Sequence, residues 1–208
     1  MNNLKIKKFV VGPIETNVYL VYNEETKKAF LVDCSISVGE YVSFIKENNL
    51  DLEFVIITHG HFDHIDGLND LLKELDVPFY ITEKDKHMLK NPMNNGSLIM
   101  GGSVVVKKDP VFVLGGEKIK FEDKELEIIE TPGHSQGGIS VKLGDWLFSG
   151  DSLFYHTIGR TDFPYSDTEQ LLKNIKEKLL ILDDEVQVFP GHGRETTIGE
   201  EKTNNPFV

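Results

Sequence analysis

Between Thr58 and His64 the chain reads Thr-His-Gly-His-Phe-Asp-His, three imidazoles and a carboxylate within six positions. With seven histidines in 208 residues, chance would give H-x-H-x-D-H in roughly one such chain in 2000. Side chains at i and i+2 of an extended strand end point the same way, so His59 and His61 can grip one ion, while Asp63 and His64 point elsewhere as the chain turns. Four ligands in so short a turn divide more naturally between two neighbouring ions than crowd onto one, and two-metal hydrolytic sites hold their ions about 3.5–4 Å apart. Further ligands must come from distant sequence. Three candidates stand at predicted strand ends beside glycine or proline: Thr131-Pro132-Gly133-His134, Ser149-Gly150-Asp151 and Phe189-Pro190-Gly191-His192-Gly193. Glycine permits the sharp turn and close backbone approach such sites need. The sum, five histidines and two aspartates, supplies three protein ligands per ion with one carboxylate shared.

Composition agrees with a nitrogen and oxygen site. A single cysteine, Cys34, excludes internal disulfides and sites built from several thiolates, and as a lone cysteine at a strand end it reads as a small buried hydrophobe. Net charge is −12, which disfavours a nucleic-acid partner, since such binders neutralise phosphates with Lys and Arg. The longest apolar run, Val18–Tyr22, is five residues, far short of the roughly 18 a spanning helix needs. The N-terminus does not resemble a signal peptide, so a cytoplasmic location and no membrane partner are expected.

The elements that must position these residues follow from periodicity. Strands are predicted over 5–11, 17–22 and 29–33 as an antiparallel opening, then a helix carrying Val38, Tyr41, Val42, Phe44 and Ile45, and a strand over 54–57. A helix marked by Ile65, Leu68, Leu71, Leu72 and Leu75 is predicted to start right after the cluster, followed by a strand over 77–81 and a short polar helix over 82–90. Residues 91–103, rich in Gly, Asn and Pro, read as a loop able to serve as a mobile flap. Strands at 104–106, 111–113, 117–121, 125–130, 139–143 and 146–148 are expected to form a second sheet. A long helix then carries Leu171, Leu172, Ile175, Leu179 and Leu182, capped by Ser166 or Asp167, before a strand over 186–189 and a short tail. No repeat or linker divides the chain, so residues 1–208 are read as a single α/β domain: a four-layer αββα sandwich of two mixed sheets packed face to face with helices outside.

The motifs, with Thr16-Asn17-Val18-Tyr19-Leu20-Val21, Leu31-Val32-Asp33, Gly159-Arg160-Thr161-Asp162-Phe163-Pro164 and Thr196-Thr197-Ile198-Gly199-Glu200-Glu201, resemble the metallo-β-lactamase-fold hydrolases, specifically the small, single-domain relatives of glyoxalase II. The resemblance covers almost the whole chain. It implies that His59, His61 and His134 hold one ion, Asp63, His64 and His192 the other, and that Asp151 bridges both. It implies two divalent ions, zinc first and iron or manganese otherwise, and a hydroxide nucleophile generated on metal, whose proton Asp63 orients or receives. The implied substrate is a small-molecule thioester such as S-(2-hydroxyacyl)glutathione or a similar thiol conjugate, whose thiolate needs little protonation to leave. Arg160 is a candidate clamp for a substrate carboxylate, against a plain ion pair with Asp162. His156 could border the pocket, and His87 reads as a surface residue. The alternatives are a mononuclear-iron persulfide dioxygenase, which shares the Gly-Arg-Thr-Asp-Phe segment, and a lactone hydrolase on the same scaffold.

Overall fold

The computed structural model describes residues 3–208. The chain groups into two compact units, the first formed by the residues up to Ile81 with Lys86–Phe112, the second by Thr82–Asp85 with Val113–Val208. In the first unit, β1 (Leu4–Val11), β2 (Thr16–Asn23) and β3 (Lys28–Val32) make the antiparallel opening. Helix α1 (Val38–Glu47) then crosses to β4 (Asp51–Ile56), which lies parallel to β3, and β5 (Phe79–Thr82) continues the parallel side. β3 and β4 are nearly continuous apolar runs and are buried along most of their length, the pattern of central strands. Tyr41, Val42 and Ile45 form the buried face of α1 and join a core of Phe9, Leu20, Leu31, Val55 and Leu68. Fully burying side chains of this size contributes about 1.5–3 kcal/mol each.

In the second unit β7 (Lys118–Phe121), β8 (Lys124–Glu130), β9 (Ile139–Leu143) and β10 (Trp146–Gly150) run antiparallel. β13 (Gln187–Pro190) lies parallel to β10, β14 (Thr196–Thr197) closes the edge, and β11 (Leu153–Phe154) and β12 (Thr157–Ile158) form a small hairpin. Helix α5 (Thr168–Asn174) starts where the Asp167 side chain accepts from the Gln170 amide and runs on into a π turn, Ile175–Leu179. Leu171, Ile175 and Leu179 present one face to Leu147, Val188 and Ile198. No helix among the described residues is long and apolar enough to cross a membrane.

The structure corrects several sequence expectations. The helix after the cluster begins inside it, as α2 (Phe62–Ile65), and breaks before α3 (Leu68–Glu74). At the break the chain presses on the 33–37 loop: Gly67 donates to the Cys34 carbonyl at 3.0 Å, and a Cβ on Gly67 would lie 1.9 Å from the Ser35 oxygen. Residues 104–106 pair in no ladder, because Val106 donates to the Leu89 carbonyl at the end of α4 (Lys86–Lys90) and the Asn69 side chain takes up the Val105 carbonyl. β6 (Val111–Val113) belongs to the order β1-β2-β3-β4-β5-β6 and not to the second sheet. Residues 91–103 are fastened turns: buried Asn95 donates to the Met88 and Val104 carbonyls, both at 2.9 Å, and its oxygen accepts the Ser97 amide. The short tail instead contains β14 and a further helix, α6 (Ile198–Asn204).

Candidate metal centre

In the first unit β4 delivers the chain straight into His59, and α2 begins one residue past His61. His59, His61, Asp63 and His64 are all buried. The His59 and His61 rings stand nearly perpendicular, with centroids 4.9 Å apart, and the His59 and His64 ring centroids are 4.1 Å apart. Ligand atoms of His59 and His61, of His59 and His64, and of Asp63 and His64 lie within 4.8 Å of each other. Each group is aimed by a neighbour. Asp33, buried and at φ 61°, accepts from His64 Nδ1 at 2.8 Å and from the Thr58 amide at 2.8 Å. Thr16 Oγ1 donates to Asp63 Oδ2 at 2.9 Å, and that same oxygen stands 3.2 Å from His64 Nε2. Thr58 Oγ1 lies 3.2 Å from His59 Nδ1.

In the second unit the parallel pair β10–β13 brings out Asp151 and His192 together, because Gly191 donates to the Gly150 carbonyl at 2.9 Å just where the register slips. His134 enters on the turn 131–138. Asp151 Oδ2 lies 3.4 Å from His134 Nε2 and 3.6 Å from His192 Nε2. Gly159 must be glycine here, since a Cβ would sit 1.8 Å from the Asp151 carbonyl oxygen and 3.3 Å from His134 Cγ. His134 Nδ1 is bonded to the Arg160 carbonyl at 2.7 Å. A cleft of about 320 Å³ opens beside His192, lined by Phe154, Tyr155, Thr157 and Arg194. A larger one, about 670 Å³, runs between α1 and α3 and touches none of the seven candidate ligands.

The donor chemistry suits divalent ions. A carbonyl only accepts, so His134 Nδ1 carries the proton, and the Asp33 carboxylate fixes the same tautomer in His64. Nε2 of each ring then has its lone pair available to an ion, with the partner on Nδ1 setting its direction. Nitrogens facing carboxylate oxygens at 3.4 and 3.6 Å are beyond good hydrogen bonds, but are spaced as two ligands of one ion.

The remaining sequence candidates divide. Arg160 is paired through Nε and Nη2 with Asp162, at 2.6 and 2.7 Å, and stacks on Phe163, while its carbonyl serves His134. His156 Nε2 meets Glu200 Oε1 at 2.7 Å, which holds that carboxyl below its usual range. His87 is half-buried, not a surface residue. Cys34 is fully buried, and burial pushes its thiol up. Asp33, Thr16 and Thr58, which hold candidate ligands, carry no ligand-like motif in the sequence. The available signal was a polar residue at the edge of a buried strand: Thr16 opening β2, Asp33 directly after Leu31-Val32, and Thr58 two residues past β4.

Comparison with known proteins follows the same lines. The sequence model of the Metallo-beta-lactamase superfamily matches residues 11–192. The chain is 35% identical over 208 residues to probable metallo-hydrolase YqgX of Bacillus subtilis, covering 99% of this chain and 98% of that protein. It is 34% identical over 209 residues to hydroxyacylglutathione hydrolase GloC of Haemophilus influenzae, covering 99% and 98%. Among solved structures, BLEG-1 B3 metallo-beta-lactamase matches with a TM-score of 0.93 at 35% identity, covering 98% of this chain and 99% of that one. TTHA1623 in a di-iron-bound form matches with a TM-score of 0.87 at 29% identity, covering 97% and 100%. With its two mixed sheets, its helices and its His/Asp donor sets, the chain belongs to the metallo-beta-lactamase superfamily.

Proposed function

We propose that the chain is a binuclear metal-dependent hydrolase that cleaves a thioester such as S-(2-hydroxyacyl)glutathione. In this reading residues 1–208 work as one catalytic domain to which both units contribute ligands. His59, His61 and His134 hold one ion, Asp63, His64 and His192 the other, and Asp151 is shared. The observation that carries the reading is that both donor sets hold buried Nε2 atoms against carboxylates, with the tautomer of His64 and His134 already set. The hydroxyacylglutathione hydrolase named among the relatives supports the choice of substrate.

Divalent ions bound there would lower the pKa of water from 15.7 toward ~7 and polarise a carbonyl oxygen. The chain's own residues do the rest. Asp63, with Oδ2 fixed by Thr16, is placed to orient the nucleophile and take its proton. Asp33 and the Arg160 carbonyl hold Nδ1 of His64 and of His134, which directs each Nε2. The cleft beside His192 receives part of a small substrate. A thiol pKa of about 8.5 lets the leaving group depart as thiolate without a dedicated acid. Zinc is the expected metal, with iron the alternative because a relative binds a di-iron pair. His59→Ala should abolish hydrolysis of S-(2-hydroxyacyl)glutathione while circular dichroism shows the fold retained. A variant with the wild-type rate at full metal loading would refute the site.

A further inference from the structure

The chain leaves the first unit for only four residues, Thr82–Asp85, and returns at Lys86. The excursion is polar, Thr-Glu-Lys-Asp, so apolar burial does not explain it. Asp85 is fully buried. Its Oδ2 accepts from Ser135 Oγ and its Oδ1 from the Gly137 amide, both at 2.7 Å. Thr82 Oγ1 donates to the Gly137 carbonyl at 2.6 Å, so Gly137 is held by both of its backbone polar groups. The fit leaves no room for a side chain: a Cβ on Gly137 would lie 2.1 Å from Thr82 Oγ1 and 2.8 Å from Asp85 Cγ. Every one of these contacts falls on the turn that carries His134.

Hiding a carboxylate is costly unless hydrogen bonds compensate it. Here the compensation is spent on the residue next to a metal ligand. Asp85 acts on the turn through Ser135 and Gly137, while the Arg160 carbonyl bonds His134 Nδ1 and Ser166 Oγ donates to the His134 carbonyl, both at 2.7 Å. We infer that Asp85 is a positioning residue for His134, setting the turn so that this ligand is aimed and thereby governing the affinity of one ion position and not the other. The inference rests on the binuclear reading. Partners standing directly behind a ligand are worth about 10–100-fold in metal affinity; Asp85 stands one link further back, so about 10-fold is expected.

The test is zinc titration against a chromophoric chelator, with circular dichroism as the check of folding, on the full chain and on Asp85→Ala, Asp85→Asn, Ser135→Ala and Glu201→Gln. Glu201 is the control: a buried carboxylate of the same unit that accepts from Thr196, His156 and Asn205 and from no residue of the His134 turn. Asp85→Ala should weaken one of two ions about 10-fold and spare the other, Ser135→Ala should move the same ion less, and Glu201→Gln should move neither. Two native affinities in Asp85→Ala overturn the inference, as does equal weakening of both ions in Asp85→Ala and Glu201→Gln. If Asp85→Ala does not fold, native affinities in both Asp85→Asn and Ser135→Ala overturn it. A wild type that takes up fewer than two ions overturns the binuclear reading and this inference with it, whereas native affinities in the variants over a two-ion wild type overturn this inference alone.

Discussion

Replacing Asp33 by asparagine isolates what its carboxylate does. Residue 33 sits at φ 61°, a conformation asparagine tolerates well, so the backbone is not disturbed. In the native structure one oxygen accepts the Thr58 amide at 2.8 Å, the other accepts His64 Nδ1–H at 2.8 Å, and the Thr58 hydroxyl lies 3.0 and 2.9 Å from the two. An amide has a single acceptor oxygen. If that oxygen keeps the Thr58 amide, the new NH2 faces His64 Nδ1, and the ring must move its proton to Nε2, the atom that would ligate. If it keeps His64, a buried Thr58 N–H faces another donor. Either arrangement costs about 1–3 kcal/mol, which for a chain of this size lowers the melting temperature of metal-free protein by about 2–12 °C. The first arrangement also acts on the metal: about 10–100-fold in affinity, or roughly 1.4–2.8 kcal/mol. Chelator competition reads the affinity and a melt in excess chelator reads the stability. An Asp33→Asn variant that binds zinc as tightly as wild type and also melts no lower in chelator would refute the reasoning, since it would match neither arrangement.

Gly159→Ala should lower the melting temperature by more than about 4 °C and weaken metal binding, since the added methyl would lie 1.8 Å from the Asp151 carbonyl oxygen; a melt within about 1 °C of wild type would contradict this. Burial, and after it the Asp63 carboxylate, raises Asp66 from its ordinary 3.8 to about 7 in the metal-free chain. Between those values the folded protein keeps a proton the unfolded chain has lost, so stability falls as pH climbs from about 4 to 7 and then levels. Discounted for its partial exposure, the ionised form costs on the order of 2 kcal/mol at pH 8. Asp66→Asn should therefore melt higher than wild type at pH 8 in chelator, and the two proteins should converge near pH 4; parallel pH profiles would count against it. Tyr41→Phe removes the hydroxyl that donates to the Ser35 and Ile36 carbonyls, and should cost about 1–3 kcal/mol in a urea melt; an unchanged midpoint would show those carbonyls satisfied by other means.

The candidate ligands stand out in the sequence because each lies where a buried strand ends in a glycine-bearing turn, and the physics of that position is local. His59 and His61 bring ligand atoms within 4.8 Å of each other, and Asp151 and His192 are adjacent because β10 and β13 are parallel neighbours. What was not legible depends on partners far away in sequence. Asp33 reads as an ordinary turn residue until its contact with His64, 31 positions later, is known. The β-branched run at 104–106 has strand propensity, yet its hydrogen bonds go to Asn69 and Leu89, and propensity carries no information about that. For α6 a signal was present: Thr197 accepts from the Glu200 amide at 3.1 Å, the first half of a capping box written in Thr197-Ile198-Gly199-Glu200. The π turn after Asn174 has no sequence mark, because the apolar spacing of Leu171, Ile175 and Leu179 reads as plain helix.

The central claim is that two divalent ions are held by two donor sets sharing Asp151. The direct measurement is elemental mass spectrometry of metal per chain, on protein purified without chelator and then saturated with zinc. Wild-type protein should hold close to two ions per chain, falling to close to one in His192→Ala. A wild-type chain that saturates at one ion, or a His192→Ala chain that still holds two, would contradict it.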